Sequence, residues 1–406
     1  MTLVPPFHLY GVDEAGPSKL SLKQKSQLEL ADLVIADSRF HSDLSGLDSV
    51  QDWPKPFFQL ADLLADYHEK SVVMLATGDP LWFGAGRYLL RHFKRDELHI
   101  EPAISGLQFA ASRMGWPFET TRIVSLHGRP KSQLLGHLYP RARLLVIPQL
   151  ADSAVSVACQ LRSAGWGAAK MTALSYLGGE NEACLVATAD SWEDLGDAPA
   201  DFHILCIDLA PAERNGHIAP SSCLPDKAYI TDGKMTKFET RCAALTRLMP
   251  HPGGVLIDLG CGSGAVSIEW LRHCPEGAAF GVDIRQDRLA LAHQNVDQIG
   301  VRGFTSCLGD CRDILTDLPE PDAIFIGGGL SSDLIAAVRQ KLPAGGRLVA
   351  HAVTLESEAL LLAAHEAEGG LLARISITYA QPVGNYHGWR SLMPVTQYIW
   401  HKGNGA

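Results

Sequence analysis

The sequence is short of three things: long apolar runs, positive charge and paired cysteines. Its apolar stretches are brief and interrupted, so no segment is expected to span a membrane. The opening Met-Thr-Leu-Val-Pro-Pro-Phe lacks the basic flank and apolar core of a signal peptide. Basic residues number 35 against 45 acidic ones, for a net charge of −10. That balance argues against general nucleic-acid binding, which needs a basic surface to neutralise phosphates. It leaves an anionic small substrate open, because a few placed arginines outweigh net charge locally. The 9 cysteines include no Cys-x-x-Cys pair, and Cys307 and Cys311, the nearest two, have no histidine cluster beside them. No metal site is therefore expected, and an odd count in a large chain fits reduced thiols in the cytoplasm. No nucleophile–base pair stands out either, so the catalytic residues are left unassigned.

What is present reads as ordinary globular protein, 46% hydrophobic and 20% charged. A chain of 406 residues makes two or three domains at roughly 100–200 residues each. The segment from Ala210 to Pro225, rich in Pro and Ser, is read as a linker between residues 1–209 and 226–406. Short apolar strands alternate with helical segments on both sides of it, which predicts α/β domains. Before it, strands are expected at Phe7–Val12, Leu33–Ala36, Ser71–Ala76, Arg122–Leu126, Arg143–Ile147 and His203–Asp208, with a helix over 21–31. After it, five parallel strands are expected at Val255–Asp258, Ala279–Asp283, Thr305–Leu308, Ala323–Ile326 and Gly346–Ala350. A helix over 355–365 and an antiparallel pair, Leu371–Tyr379 with Val395–Trp400, complete the second half.

The chemistry centres on Val255-Leu-Ile-Asp-Leu-Gly-Cys-Gly-Ser-Gly-Ala-Val-Ser-Ile-Glu-Trp270. An apolar strand ends, three glycines follow at alternate positions, and an amphipathic helix begins. Gly260, Gly262 and Gly264 let backbone approach a ligand where a side chain would collide. Such a turn suits a dinucleotide, and Asp283 stands where a ribose-binding acid belongs. It suits S-adenosylmethionine equally well. In the first half, Gly78-Asp-Pro-Leu-Trp-Phe-Gly84 ends a buried strand, Ser105 opens a helix, and Ser125-Leu-His-Gly-Arg129 follows a further strand.

The order of Asp258, the three glycines, Asp283 and Gly309-Asp310-Cys311 resembles the class I methyltransferases, a Rossmann-like fold. The segment Thr231 to Arg241, the turn Phe325-Ile-Gly-Gly-Gly329 and Ala352 to Glu358 narrow this to decarboxylating precorrin C15-methyltransferases. The first half resembles the tetrapyrrole methylases, and Gly115-Trp-Pro117 with Ser125–Arg129 looks like their precorrin C5 branch. The opening loop departs from the pattern, reading Gly11-Val-Asp-Glu-Ala-Gly-Pro17 where Gly-x-Gly-Pro-Gly-Asp is frequent. The two halves in one chain are similar to the precorrin-6Y C5,15-methyltransferase (decarboxylating) family of aerobic cobalamin synthesis.

That resemblance implies S-adenosylmethionine as cofactor, bound once in each half. It places Gly78, Asp79, Pro80, Gly84 and Ser105 at the first site. At the second it places Thr236, Asp258, Gly260, Cys261, Gly262, Ser263, Gly264, Asp283, Asp310 and Cys311. A carboxylate-rich precorrin would meet His127 and Arg129 in the first half, and Lys237, Arg241, His387 and Arg390 in the second. The last two lie in Tyr386-His-Gly-Trp-Arg390, read as a lid over a flat ring. A homo-oligomer is expected by analogy with related methylases. The competing readings are an RNA methylase with an accessory N-terminal domain, a non-catalytic tetrapyrrole-binding protein and a dehydrogenase.

Overall fold

The computed structural model describes residues 6–67, 69–149, 153–209, 223–274 and 276–403. Contacts divide the chain into two compact units, Met1–Arg129 with Pro140–Asn215, and Pro130–Tyr139 with Gly216–Ala406. Most of the expected linker, 210–222, lies outside the described residues. Its end does not: the Leu224 amide donates to Glu269 at 2.6 Å within the second unit.

In the first unit, β1 (Phe7–Val12), β2 (Leu33–Ala36), β3 (Val50–Gln51), β4 (Val72–Thr77) and β5 (Leu98–Glu101) form one parallel sheet, ordered β3-β2-β4-β1-β5. Its central strands are buried at nearly every position and mostly apolar, because both faces are covered. Phe7, Leu9, Ile35 and Met74 enter one core cluster, while Tyr10, Val34, Val73 and Leu75 enter another. The helix Leu22–Glu29 starts at Ser21, whose side chain and that of Gln24 form a capping box. A second, mixed sheet holds β6 (Arg122–Ser125), β7 (Arg143–Ile147), β8 (Lys170–Ser175), β9 (Ala183–Thr188) and β10 (His203–Asp208), ordered β6-β7-β10-β8-β9.

In the second unit, β11 (Val255–Leu259), β12 (Ala278–Asp283), β13 (Phe304–Leu308), β14 (Ala323–Ile326) and β15 (Arg347–Ala352) run parallel. Three strands follow β15 and its helix: β16 (Leu371–Ile375), β17 (Thr378–Val383) and β18 (Tyr386–Ser391). The last strand, β19 (Val395–His401), pairs antiparallel with both β15 and β16. The sheet order is β13-β12-β11-β14-β15-β19-β16. The order reverses between β11 and β14, and a crevice opens at the carboxyl ends of strands at such a point.

Strands β3, β5, β8 and β9 were not among those expected. β3 is two residues long, and β9 is largely exposed with little alternation, so neither carries a periodic signal. The expected strand Leu371–Tyr379 is two strands, broken after Ile375. Tyr386–Arg390, read as a lid, makes up most of β18, paired with β17 in a separate two-stranded ribbon.

Candidate functional site

Each unit carries a cavity at its strand ends. In the second unit a space of about 300 Å³ lies over the β11 turn, at the reversal of strand order. It is walled by Thr236, Asp258, Gly260, Cys261, Gly262, Ser263, Asp283 and Cys311, together with Phe325 and Gly327 to Gly329. The glycines are required by geometry. Gly260, Gly262 and Gly264 have φ of +73°, +56° and +76°, a region side chains avoid. A Cβ at Gly260 would stand 2.7 Å from the Gly328 amide nitrogen, so the β11 and β14 turns touch backbone to backbone.

Two carboxylates sit on this wall in different states. Asp283, at the end of β12, accepts from the Gly262 amide at 3.0 Å and the Arg285 amide at 3.0 Å. Asp258 is almost wholly buried. Its Oδ2 accepts from the Ser267 amide and hydroxyl at 3.1 and 2.6 Å, while Oδ1 has no hydrogen-bond partner among the described residues. Burial pushes its pKa up to about 6, against the two bonds from Ser267. The Ser263 hydroxyl on the same wall is also buried without a partner. The thiols are not nucleophiles at neutral pH: burial raises Cys261, and raises Cys311 to about 11.

Several expected residues stand elsewhere. Arg241 is not available to a substrate. Its guanidinium is fully buried and donates to Asp226, the Thr236 carbonyl and the Leu224 carbonyl at 3.1, 2.6 and 2.5 Å, beside buried Glu269. It fastens the segment carrying Thr236. Gly264 does not wall the cavity but admits Ala292, whose Cβ would lie 3.0 Å from a side chain there. Asp310 caps the short helix Cys311–Leu315 and binds Arg312, which lowers its pKa. Lys237 is at the start of the helix Phe238–Leu248 and off the cavity wall. His387 and Arg390 lie exposed on the β17–β18 ribbon and are not brought to the cavity; Arg390 reaches Gln381 at 3.4 Å.

Sequence reasoning missed Asp232 and Arg288, which line the cavity and join at 3.0 Å, with Arg288 also 3.9 Å from Asp283. The signal was there in part. Asp232 lies in the Thr231–Arg241 segment, and Arg288 in the first turn of the helix after β12.

In the first unit a cavity of about 450 Å³ is lined by Asp79, Gly84, Ser105 and His127 from the expected set. Trp82, Phe83, Leu174, Tyr176, Phe202, His203 and Ile204 complete much of its wall and were not foreseen. Gly78 is absent from the wall but needed for the turn. Its φ is +74°, and a Cβ would press on Ser105 at 2.8 Å. Pro80 is buried, its carbonyl accepting the Gly86 amide at 2.9 Å. Arg129 also stands off the wall, stacked 5.2 Å from the ring of Phe83, which is part of it. His203 presents a buried imidazole whose Nδ1 bonds the Ala200 carbonyl at 2.7 Å; among the described residues Nε2 has no hydrogen-bond partner, and burial lowers its pKa.

Comparison with known proteins gives two family matches along the chain. Residues 11–192 match the Tetrapyrrole (Corrin/Porphyrin) Methylases, and residues 227–402 match a Precorrin methyltransferase domain. A Sinorhizobium precorrin-6Y C(5,15)-methyltransferase [decarboxylating] is 36% identical over 404 residues, covering 98% of this chain and 97% of that one. A Mycobacterium tuberculosis protein of the same name is 33% identical over 398 residues, covering 96% and 97%. A probable cobalt-precorrin-6B C(15)-methyltransferase (decarboxylating) from Pyrobaculum calidifontis is 37% identical over 171 residues, covering 40% of this chain and 85% of that one. With both halves matched and near full-length identity above 30%, the chain belongs to the decarboxylating precorrin-6Y C(5,15)-methyltransferase family.

Proposed function

We propose that the protein methylates a precorrin at C5 and C15 and removes the ring C acetate carboxyl as carbon dioxide, using S-adenosylmethionine in each unit. The observation that carries this is the pair of separate strand-end cavities, one per unit, in a chain whose halves match two methylase families. The second cavity fits the cofactor. Asp258 Oδ1 is a buried acceptor without a donor, as an ammonium of a bound amino acid would supply. Gly262 has nothing within 4 Å of where a Cβ would stand, so its backbone faces open space. We assign Asp258 to the cofactor's amino group, Asp283 to its ribose, and Thr236, Gly260–Ser263 and the Cys311 backbone to the remaining wall. In the first unit Asp79, Gly84 and Ser105 line the corresponding site.

When bound, the sulfonium supplies an electrophilic methyl group. The chain's own work is to align a nucleophilic ring carbon with it and to exclude water. No side-chain nucleophile is needed, and the raised thiols of Cys261 and Cys311 offer none. The C15 transfer and decarboxylation are assigned to the second unit, since the Pyrobaculum C(15)-methyltransferase matches over 171 residues, about the length of the Precorrin methyltransferase domain at 227–402. All nine cysteines are free, which supports a cytoplasmic enzyme, and we take it as a homo-oligomer. Calorimetric titration with S-adenosylhomocysteine tests the reading: two equivalents bind per chain. A single equivalent overturns the two-site assignment.

A further inference from the structure

We propose that Arg39 recognises a carboxylate of the first unit's substrate, and that Glu14 holds the guanidinium's place until that carboxylate arrives. The inference rests on the reading of this unit as a methylase of a polycarboxylate macrocycle.

Arg39 lines neither of two cavities in this unit, but its partners wall both. Its Nη2 donates to Thr77 Oγ1 at 2.6 Å, and its guanidinium lies 4.0 Å from the ring centre of Phe202. Both partners wall the 450 Å³ cavity. On its other side, Nη1 is 3.3 Å from Glu14 Oε2. Glu14 walls a larger, open space of about 1060 Å³, bounded also by Pro17, Lys19, Leu47 and Gly179. Tyr176 belongs to both walls. Ligand clefts span about 300–1,000 Å³, so the larger space has room for a macrocycle beside the smaller one.

The pair is poorly made for a structural ion pair. Among the described residues the guanidinium makes one hydrogen bond, to Thr77; its buried Nε makes none and stands 3.9 Å from Asp37 Oδ1. Glu14 Oε2 is likewise buried and accepts no hydrogen bond. Burial, with Asp37 and Asp13 nearby, raises the Glu14 carboxyl against the pull of Arg39. Half-satisfied buried charges cost stability, whereas retained structural pairs are short and fully bonded. Asp13 differs: Lys19 already neutralises it at 2.8 Å. Glu14 is thus the exchangeable acid on this loop. Arg39, by contrast, is held in orientation by Phe202, by the Phe40 ring at 4.7 Å and by Thr77. A planar guanidinium stacked on Phe202 and Phe40, with acids held only at 3.3 and 3.9 Å, is suited to a closer carboxylate.

The test uses the full chain with the precorrin substrate and a labelled methyl donor. Arg39→Gln should raise KM for C5 methylation about tenfold to a hundredfold, the worth of a bond to a charged group. Its kcat and the first unit's affinity for S-adenosylhomocysteine should stay within about twofold, and carbon dioxide release should be unchanged. Arg39→Lys should fall between. Glu14→Gln should lower KM, because the competing carboxylate is gone. An unchanged KM in Arg39→Gln, or lost affinity for S-adenosylhomocysteine there, overturns the proposal. If Arg39→Gln does not fold, an unchanged or raised KM in Glu14→Gln does so. A wild-type chain that methylates only C15 overturns the underlying reading of the first unit, and this proposal with it.

Discussion

Asp258 ties folding to pH, and on the proposed cofactor contact it ties both to binding. Its folded pKa of about 6 stands above the usual carboxyl value of 3.8. A raised carboxyl favours the protonated native state, so the ligand-free second unit loses stability as pH climbs through about 4 to 6. Asp258→Asn should therefore resist urea better than wild type at pH 8, with the difference gone near pH 3.5. Hydrogen exchange on β11 and β12 reads this for the second unit alone. Binding should run the other way. The carboxylate must be ionised to accept from an ammonium, so the S-adenosylhomocysteine dissociation constant should weaken toward tenfold per unit of pH below about 6. The Asn variant should bind more weakly at pH 8 and lose that slope. A wild-type affinity that is flat from pH 5 to 8 would contradict the assigned contact.

At the level of the element, the β11 turn separates two uses of glycine that the sequence presents alike. Gly260 combines φ of +73° with a backbone neighbour 2.7 Å from a notional Cβ. Gly262 has φ of +56° and open space. Gly260→Ala should lose roughly 2–5 kcal/mol, strain plus overpacking. Gly262→Ala should lose only about 1–2 kcal/mol from strain, yet its methyl projects into ligand space. Urea denaturation and calorimetry on both variants separate the effects: Gly260→Ala fails chiefly in stability, Gly262→Ala chiefly in S-adenosylhomocysteine affinity. The reverse ranking would remove Gly262 from the binding wall. The β17–β18 ribbon shows where element-level reading falls short. Its aromatics Tyr386 and Trp389 are 81% and 78% exposed, and nothing in the sequence marks this glycine between aromatics as part of a paired strand.

For the whole molecule, the two units have separate sheets and cores. Proteolysis within 210–222 should leave two pieces that each retain structure. The piece with Gly260–Gly264 should add one methyl and release carbon dioxide; the piece with Asp79 and Ser105 should add one methyl only. Mass spectrometry of the products decides it. Decarboxylation that needs the first piece would overturn the division of labour. The grouping of Pro130–Tyr139 with the second unit makes the cut more demanding than a linker at 210–225 suggests, since that segment stays covalently in the first piece.

The sequence by itself determined the α/β class, the principal parallel strands and the glycine turns. Those follow from local rules: buried parallel strands are mostly apolar, and glycine is the residue that takes positive φ without strain. It also ordered Asp258, the glycines and Asp283, because they sit on consecutive strand ends. Only the tertiary structure decided which charged side chains face a cavity. Arg241, Arg288 and Arg39 look equivalent in the sequence. One is sealed inside by carbonyls and acids, one lines the second cavity, and one stacks on Phe202, a wall residue of the first. Charge alone carries no such information, because an arginine's partners come from strands and loops far away in the chain, brought together only when the sheets pack.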